Sequence, residues 1–257
     1  MDDILKNRTF WLILLLVAFI VILMVAIRKH NTKNEQVAHD EKITKAALKD
    51  KITEKEQELS LYNRKLWGDN AYWMRNYIVS YINGSKDIPE SAQRLLKNQE
   101  QIGRGMGMWY GKEVERKIIT MLHKNMVAFG DMLAAMLNKK KNEAIMSEKR
   151  WDDNTESIAS YLSTINPKLD KSEMTKTMKK YNEMMTTQAI SRFKGKHSAE
   201  IGTFDKAYDH AIFDLADTIT KGIVEQFPDK FDINKPSSDA DELKDSKDLK
   251  NLKEVNI

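Results

Sequence analysis

The rhythm of hydrophobic and polar positions changes three times along this chain. Residues 10–27 read FWLILLLVAFIVILMVAI, with no charge, proline or glycine. A helix rises about 1.5 Å per residue, so this run with its flanks reaches the roughly 30 Å of a hydrocarbon core. A lone segment in lipid satisfies its backbone polar groups only as a helix, and the pattern therefore predicts a transmembrane anchor over 1–29. A cleaved signal peptide would have a shorter apolar region ending in small residues, whereas this run ends Val25-Ala26-Ile27 and meets Arg28-Lys29 directly. A buried core helix would carry a polar stripe, and the run has none.

Charges then alternate in sign over residues 30–65, with Ile43, Leu48, Ile52 and Leu59 at roughly helical intervals. Acidic and basic side chains lie within reach of one another along such a helix, which predicts a solvated helical stalk. A short coiled coil is an open alternative, although the apolar spacing is too irregular for heptads.

From Leu66 aromatic and aliphatic residues recur every three to four positions. Trp67, Tyr72 or Trp73, Tyr77, Val79 and Ile82 predict a helix that stops at the turn pair Asn83-Gly84. Pro89 opens a second, with Leu95, Leu96, Ile102 and Met106, broken by Gly103, Gly105 and Gly107. A third spans 113–137, a fourth spans 147–165 and ends at Asn166-Pro167, and a fifth starts from a cap at Asp170 or Ser172 and runs to about Phe193. The sixth, about 200–226, carries Phe204, Tyr208, Ile212, Leu215, Ile219 and Ile223 on one face and stops at Phe227-Pro228. The expected fold is all-α: anchor, stalk, and an antiparallel bundle of about six helices over 66–231. Residues 232–257 have little to bury and are expected to be disordered or loosely helical.

Composition narrows the function classes. Charged residues make up 31% of the 257, yet the net charge is only +4, so the signs are mixed and nucleic acid is not the expected partner. Cysteine is absent, which removes disulfides, thiolate metal sites and cysteine nucleophiles. Four prolines and ten glycines among many Lys, Glu, Leu, Met and Ala suit helix over sheet. Basic residues flank the apolar run on both sides, Lys6 and Arg8 before it and Arg28, Lys29 and Lys33 after it, which slightly favours a cytoplasmic C-terminal portion. Asn7-Arg8-Thr9 and Asn83-Gly84-Ser85 fit the short glycosylation pattern and do not decide the topology.

Candidate chemistry is sparse. No Gly-x-Ser-x-Gly occurs, His30 lies beside the apolar run, and His197 sits in a polar stretch. A phosphate cradle from Arg94, Asn98, Gln99 and the glycines after them would need a preceding strand and a Lys-Ser or Lys-Thr, but Lys112 is followed by Glu113; close helix packing is the better use of those glycines. Lys139, Lys140 and Lys141 read as a solvated loop, the 14 methionines as core filler, and the tryptophans as half-buried rings near helix ends. His210, Asp214 and Asp217 follow at i, i+4 and i+7 and share one helical stripe. With His123 they offer two imidazoles and two carboxylates to a bundle centre, a set that suits a divalent transition metal. The competing reading has His210 and the aspartates hydrogen-bonding to Arg75, Arg94 or Trp side chains and fixing helix register.

Several spaced motifs resemble a family of uncharacterised helical proteins found in bacteria and large DNA viruses. They are Leu66-Trp67-Gly68-Asp69-Asn70 with Trp73-Met74-Arg75; Arg94-Leu95-Leu96-Lys97-Asn98-Gln99 with Ile102-Gly103; Leu122-His123; Trp151-Asp152-Asp153-Asn154 with Ile158-Ala159 and Leu162; and Asp205, His210, Ala216-Asp217, Gly222-Ile223 and Gln226-Phe227-Pro228 with Phe231. The resemblance covers about 66–231 and implies a common helical fold more than a common activity. It also implies histidines at four points, of which this chain keeps His123 and His210 and has Asn70 and Asn182 at the other two. An amide oxygen is a weak ligand for zinc or iron, so a four-imidazole site would be incomplete here.

Two functions from different classes follow. The first is a membrane-anchored, non-enzymatic scaffold or interaction protein, partnered by the lipid bilayer and by other proteins or further copies of itself. The dominance of lysine over arginine, with frequent Asn, Ile and Met, suits an AT-rich genome and a place in a viral inner membrane or beneath a capsid. The alternative is a metal-binding bundle with hydrolytic or redox activity at His123, His210, Asp214 and Asp217.

Overall fold

The computed structural model describes residues 53–231 together with Met24, Arg28 and Lys29. The chain divides into two units, Met1–Ile52 and Thr53–Ile257, and the second holds every helix described below. The anchor reading of 10–27, most of the stalk and the tail 232–257 lie outside the described residues. Among the described residues no helix is long and apolar enough to cross a membrane.

Helix α1 (Glu54–Asn83) begins where Thr53 accepts a hydrogen bond from the Glu56 amide at 3.1 Å, and Glu54 and Glu56 place negative charge at its positive end. It ends at Gly84, whose φ of 64° closes the last turn at little steric cost. The compact unit thus begins at Thr53, and the stretch 53–65, assigned to the stalk by its charges, is the first part of a bundle helix. Leu59 and Asn63 are buried there. Of the pair Tyr72 and Trp73, Trp73 packs against the core and Tyr72 is exposed.

Helix α2 (Ile88–Tyr110) runs unbroken through Gly103, Gly105 and Gly107, which corrects the expected break. The glycines serve the neighbouring helix instead. A Cβ on Gly103 would lie 2.3 Å from Ile119 Cγ1, and one on Gly107 would lie 2.6 Å from Glu115 Oε2. Only Gly111 separates α2 from α3 (Lys112–Leu137). Helix α4 (Lys141–Ile165) starts earlier than its apolar pattern suggested, because Lys141, Asn142, Glu143, Ile145 and Met146 are exposed and only Ala144 touches the core before Ser147. Helix α5 (Lys171–Phe193) is capped by Asp170, which accepts from the Glu173 amide at 2.8 Å. The last long helix is α6 (His197–Lys206), a π-helical stretch (Ala207–Ile212) and α7 (Phe213–Gln226), followed by the short α8 (Pro228–Phe231).

The helices run alternately up and down. Across α1 and α7 Asn63 meets Thr220, while Arg75 further along α1 meets Glu200, earlier in the chain. Across α3 and α4 Asn125 meets Asn154 and Asp131 meets Arg150. Each helix packs on the next in sequence, and α1 also packs on α5, the π-helical stretch and α7, which closes the array around one core. That core contains Trp151, Phe129, Ile78, Leu95, Met132, Met174 and Met185, all fully buried. Three methionines among them support the filler reading.

The end of the bundle where α2 stops is sealed by aromatic rings. Trp109 stacks on Phe231 with centroids 5.4 Å apart and lies 5.6 Å from Phe227. The Tyr110 hydroxyl donates to Gln226 Oε1 at 3.0 Å and accepts from Asn166 Nδ2 at 2.9 Å, and Gln226 donates to the Ile165 carbonyl. The stop signals Asn166-Pro167 and Gln226-Phe227-Pro228 are therefore parts of one closure.

Candidate functional site

Short polar side chains at core-facing positions form two hydrogen-bonded chains through the bundle centre. Asn70 on α1, Asn98 on α2 and Tyr181 on α5 are all buried. The Tyr181 hydroxyl donates to Asn70 Oδ1 at 3.2 Å, Asn70 Nδ2 donates to Asn98 Oδ1 at 3.0 Å, and Asn98 Nδ2 donates to the Leu66 carbonyl at 2.9 Å. Burial pushes the Tyr181 phenol well above its usual range, so near neutral pH it is protonated and its O–H is available to donate.

The next residue, Asn182, starts the second chain. Its Nδ2 donates to Asp152 Oδ1 at 3.0 Å and to Thr155 Oγ1 at 2.9 Å. Thr155 also accepts from Asn125 at the long distance of 3.5 Å, Asn125 accepts from Asn154, and Asn154 donates to the Met121 carbonyl. Helices α3, α4 and α5 are thereby joined by neutral amides and a hydroxyl. The ionisable member is Asp152, at the rim of a surface groove lined by Glu148, Lys176, Lys179, Lys180 and Glu183. Amides and hydroxyls fix register and orientation, but they supply no proton transfer at neutral pH.

The four proposed metal ligands are not assembled, which corrects that reading. His123 lies on α3, which packs mainly on α2 and α4, whereas the helix carrying His210, Asp214 and Asp217 packs on α1 and α5. His123 Nε2 is buried without a hydrogen-bond partner. His210 sits in the π-helical stretch, and both it and Asp214 are exposed. A π turn holds more residues than an α turn, so equal sequence spacing no longer gives one stripe. Asp217 is held by Arg64, whose Nε donates at 2.7 Å and whose Nη2 contacts the second oxygen. Among the described residues no group of three His, Asp or Glu side chains is placed to hold a metal ion.

Of the three residues in the register-fixing reading only Asp217 meets a cation, and it is Arg64; His210 and Asp214 are exposed, and Arg75 and Arg94 serve other partners. Arg64 takes Asp217, Arg75 takes Glu200, and Arg94 lies over the Trp73 ring at 4.8 Å from its centroid. Arg64 also lies 5.6 Å from the centroid of Phe213, whose ring meets Tyr208 edge-on. Gly68 makes room for that tyrosine, since a Cβ there would lie 3.1 Å from the Tyr208 hydroxyl. Sequence reasoning marked Asn70 and Asn182 as departures from a histidine pattern and missed Thr155 and Tyr181. The signal available for those two was a polar or hydroxyl-bearing residue in register with the apolar stripe. The chain matches no protein-family model, no curated protein and no solved structure.

Proposed function

We propose that this protein is a non-enzymatic helical scaffold, anchored in a membrane by residues 10–27, whose bundle presents fixed surfaces to protein partners or to further copies of the chain. The observation that supports this reading is the direction of the central hydrogen bonds. Asn70, Asn98, Tyr181, Asn182, Asn125 and Asn154 direct donors to one another, to Thr155, to the Asp152 carboxylate and to backbone carbonyls. Polar groups used in this way hold helices in a single register, and a half-satisfied network would weaken the core. The lysine-rich, arginine-poor composition suits an inner viral membrane or the layer beneath a capsid as its setting.

The test is elemental analysis of the full chain purified without chelator, beside His210→Ala. We expect no stoichiometric transition metal in either protein and a small change in stability. A stoichiometric metal that is lost in His210→Ala would overturn the scaffold reading.

A further inference from the structure

Because the helices alternate in direction, the turns after α1, α3 and α5 gather at one end of the bundle, opposite the aromatic seal. All three helices stop there by the same closure. Gly84 at φ 64°, Lys139 at φ 57° and Gly195 at φ 68° each occupy the left-handed position. The following amides turn back five residues, Ser85 to the Ser80 carbonyl at 2.9 Å, Lys140 to Ala135 at 2.8 Å and Lys196 to Ser191 at 2.9 Å. Two of the three positions hold the glycine that this geometry favours. The third holds a lysine, in a region that L side chains enter only with backbone strain.

The turns carry Lys86, Lys139, Lys140, Lys141, Lys194 and Lys196 into solvent. The carboxylates near these turns are Asp87, Glu90, Asp131, Glu143 and Glu200; Glu143 is engaged by Lys140 at 3.0 Å, Asp131 by Arg150 at 2.8 Å, and Glu200 is buried against Arg75. Beside these lysines stand apolar side chains that the core does not cover: Met146 at 67% exposure, Ile145 at 53%, Ile201 at 48% and Phe193 at 42%. At the opposite end Trp109, Tyr110 and Phe227 are half-buried and Phe231 is buried. This end shows its apolar groups within a basic field.

We infer that this end of the bundle docks on an anionic phospholipid surface. The lysines and apolar side chains are spread over three separate turns and the helix ends beside them. The groove between α3 and α4, lined by Asp131, Lys140, Glu143, Met146 and Arg150, is mixed in charge, so the breadth of the basic field suits an extended anionic layer over a single pocket. Lysine is a hydrated point charge without the planar fork that recognises one carboxylate, so it suits a diffuse negative layer. Each lysine near an anionic leaflet adds to the attraction, and side chains placed as Phe193 and Ile145 are can enter the headgroup boundary by roughly 5–10 Å. The inference names a partner beyond the proposed anchor and does not depend on it.

The test uses the full chain reconstituted into phosphatidylcholine vesicles, to which fluorescent vesicles are added with or without phosphatidylserine. Capture of the fluorescent vesicles is read on a density gradient. We expect capture only with phosphatidylserine, fading as salt rises, and reduced at least tenfold by the combined K139E, K140E, K194E and K196E variant with its helical circular dichroism unchanged. Phe193→Ser, which keeps every charge, should give a smaller loss. Equal capture of both lipids, wild-type capture by the charge variant, or no capture by folded protein would overturn the inference. So would retention on poly-glutamate beads without vesicle capture, which would assign the surface to an acidic protein. Protein that fails to enter the first vesicles refutes the anchor alone, and the same variants are then floated directly with phosphatidylserine vesicles.

Discussion

Arg75 on α1 grips the carboxylate of Glu200 on α6 at two points, Nε to Oε1 at 2.8 Å and Nη2 to Oε2 at 3.3 Å. The Glu200 side chain has 0% exposure, and Arg192 stands 3.7 Å away as a second cation. The Arg75 guanidinium also lies over Phe204, 5.4 Å from the ring centroid. One side chain thus ties α1 to α6.

Arg75→Ala leaves a buried carboxylate with one partner fewer. Loss of a partner from a fully buried pair costs about 3–5 kcal/mol; with Arg75 partly exposed and Arg192 remaining, we expect about 2 kcal/mol, measured by urea unfolding. Arg75→Lys should recover less than half of this, because an ammonium cannot span both oxygens. Full recovery by lysine would show that charge alone matters there.

Two glycines in helices should respond to the same substitution with opposite signs. Gly103→Ala places a Cβ 2.3 Å from Ile119 Cγ1 and 3.2 Å from the Glu115 carbonyl oxygen, so α2 and α3 must separate. Overpacking of this kind destabilises by about 1–3 kcal/mol. Gly202→Ala meets nothing within 4 Å in a helix with negative φ and should stabilise by up to about 1 kcal/mol. Thermal unfolding of the two variants checks the contrast, and adding Ile119→Ala to Gly103→Ala should return part of the loss.

The glycines also show which parts of the fold were legible. Local signals placed the helix ends well: Asn83-Gly84, Asp170 and Phe227-Pro228 act through their own backbone geometry or caps. Gly103 looked like punctuation because its reason lies on another helix, in Ile119. The start of α4 at Lys141 was missed because Ile145 and Met146 face solvent, so the apolar rhythm begins only at Ser147 and Trp151. The metal set assumed an unbroken α-helical period through His210, and the π-helical stretch removes that premise. Glu200 carried no sequence signal as a buried charge, since its cations come from α1 and α5.

Alkaline pH should loosen the bundle through its tyrosines. Burial raises Tyr62, Tyr77 and Tyr110 to about 12, against an ordinary value of 10.0, and pushes Tyr181 up further. A phenol with a raised folded-state pKa is bound more tightly by its proton in the native state than in the unfolded chain. Its contribution is full below pH 10 and is lost as pH climbs toward the folded value, at no more than about 1.4 kcal/mol per pH unit for each group. The urea midpoint should therefore fall steeply above pH 10. Tyr181→Phe gives up the hydrogen bond to Asn70, about 1 kcal/mol at pH 7, and should show a shallower alkaline slope.

Lys139→Gly separates stability from docking. The φ of 57° at Lys139 lies in the region that L side chains enter at a cost and glycine enters freely, as Gly84 and Gly195 do at the matching ends of α1 and α5. The substitution leaves the Lys140 amide bonded to the Ala135 carbonyl and removes one exposed charge. We expect a gain of about 1 kcal/mol in unfolding free energy with weaker capture of anionic vesicles. Lys139→Ala removes the same charge but keeps the strain, so it should match Lys139→Gly in docking and fall below it in stability. A glycine variant that is more stable and docks as well as the wild type would leave the lysine without a reason at this position, because local backbone chemistry argues against it.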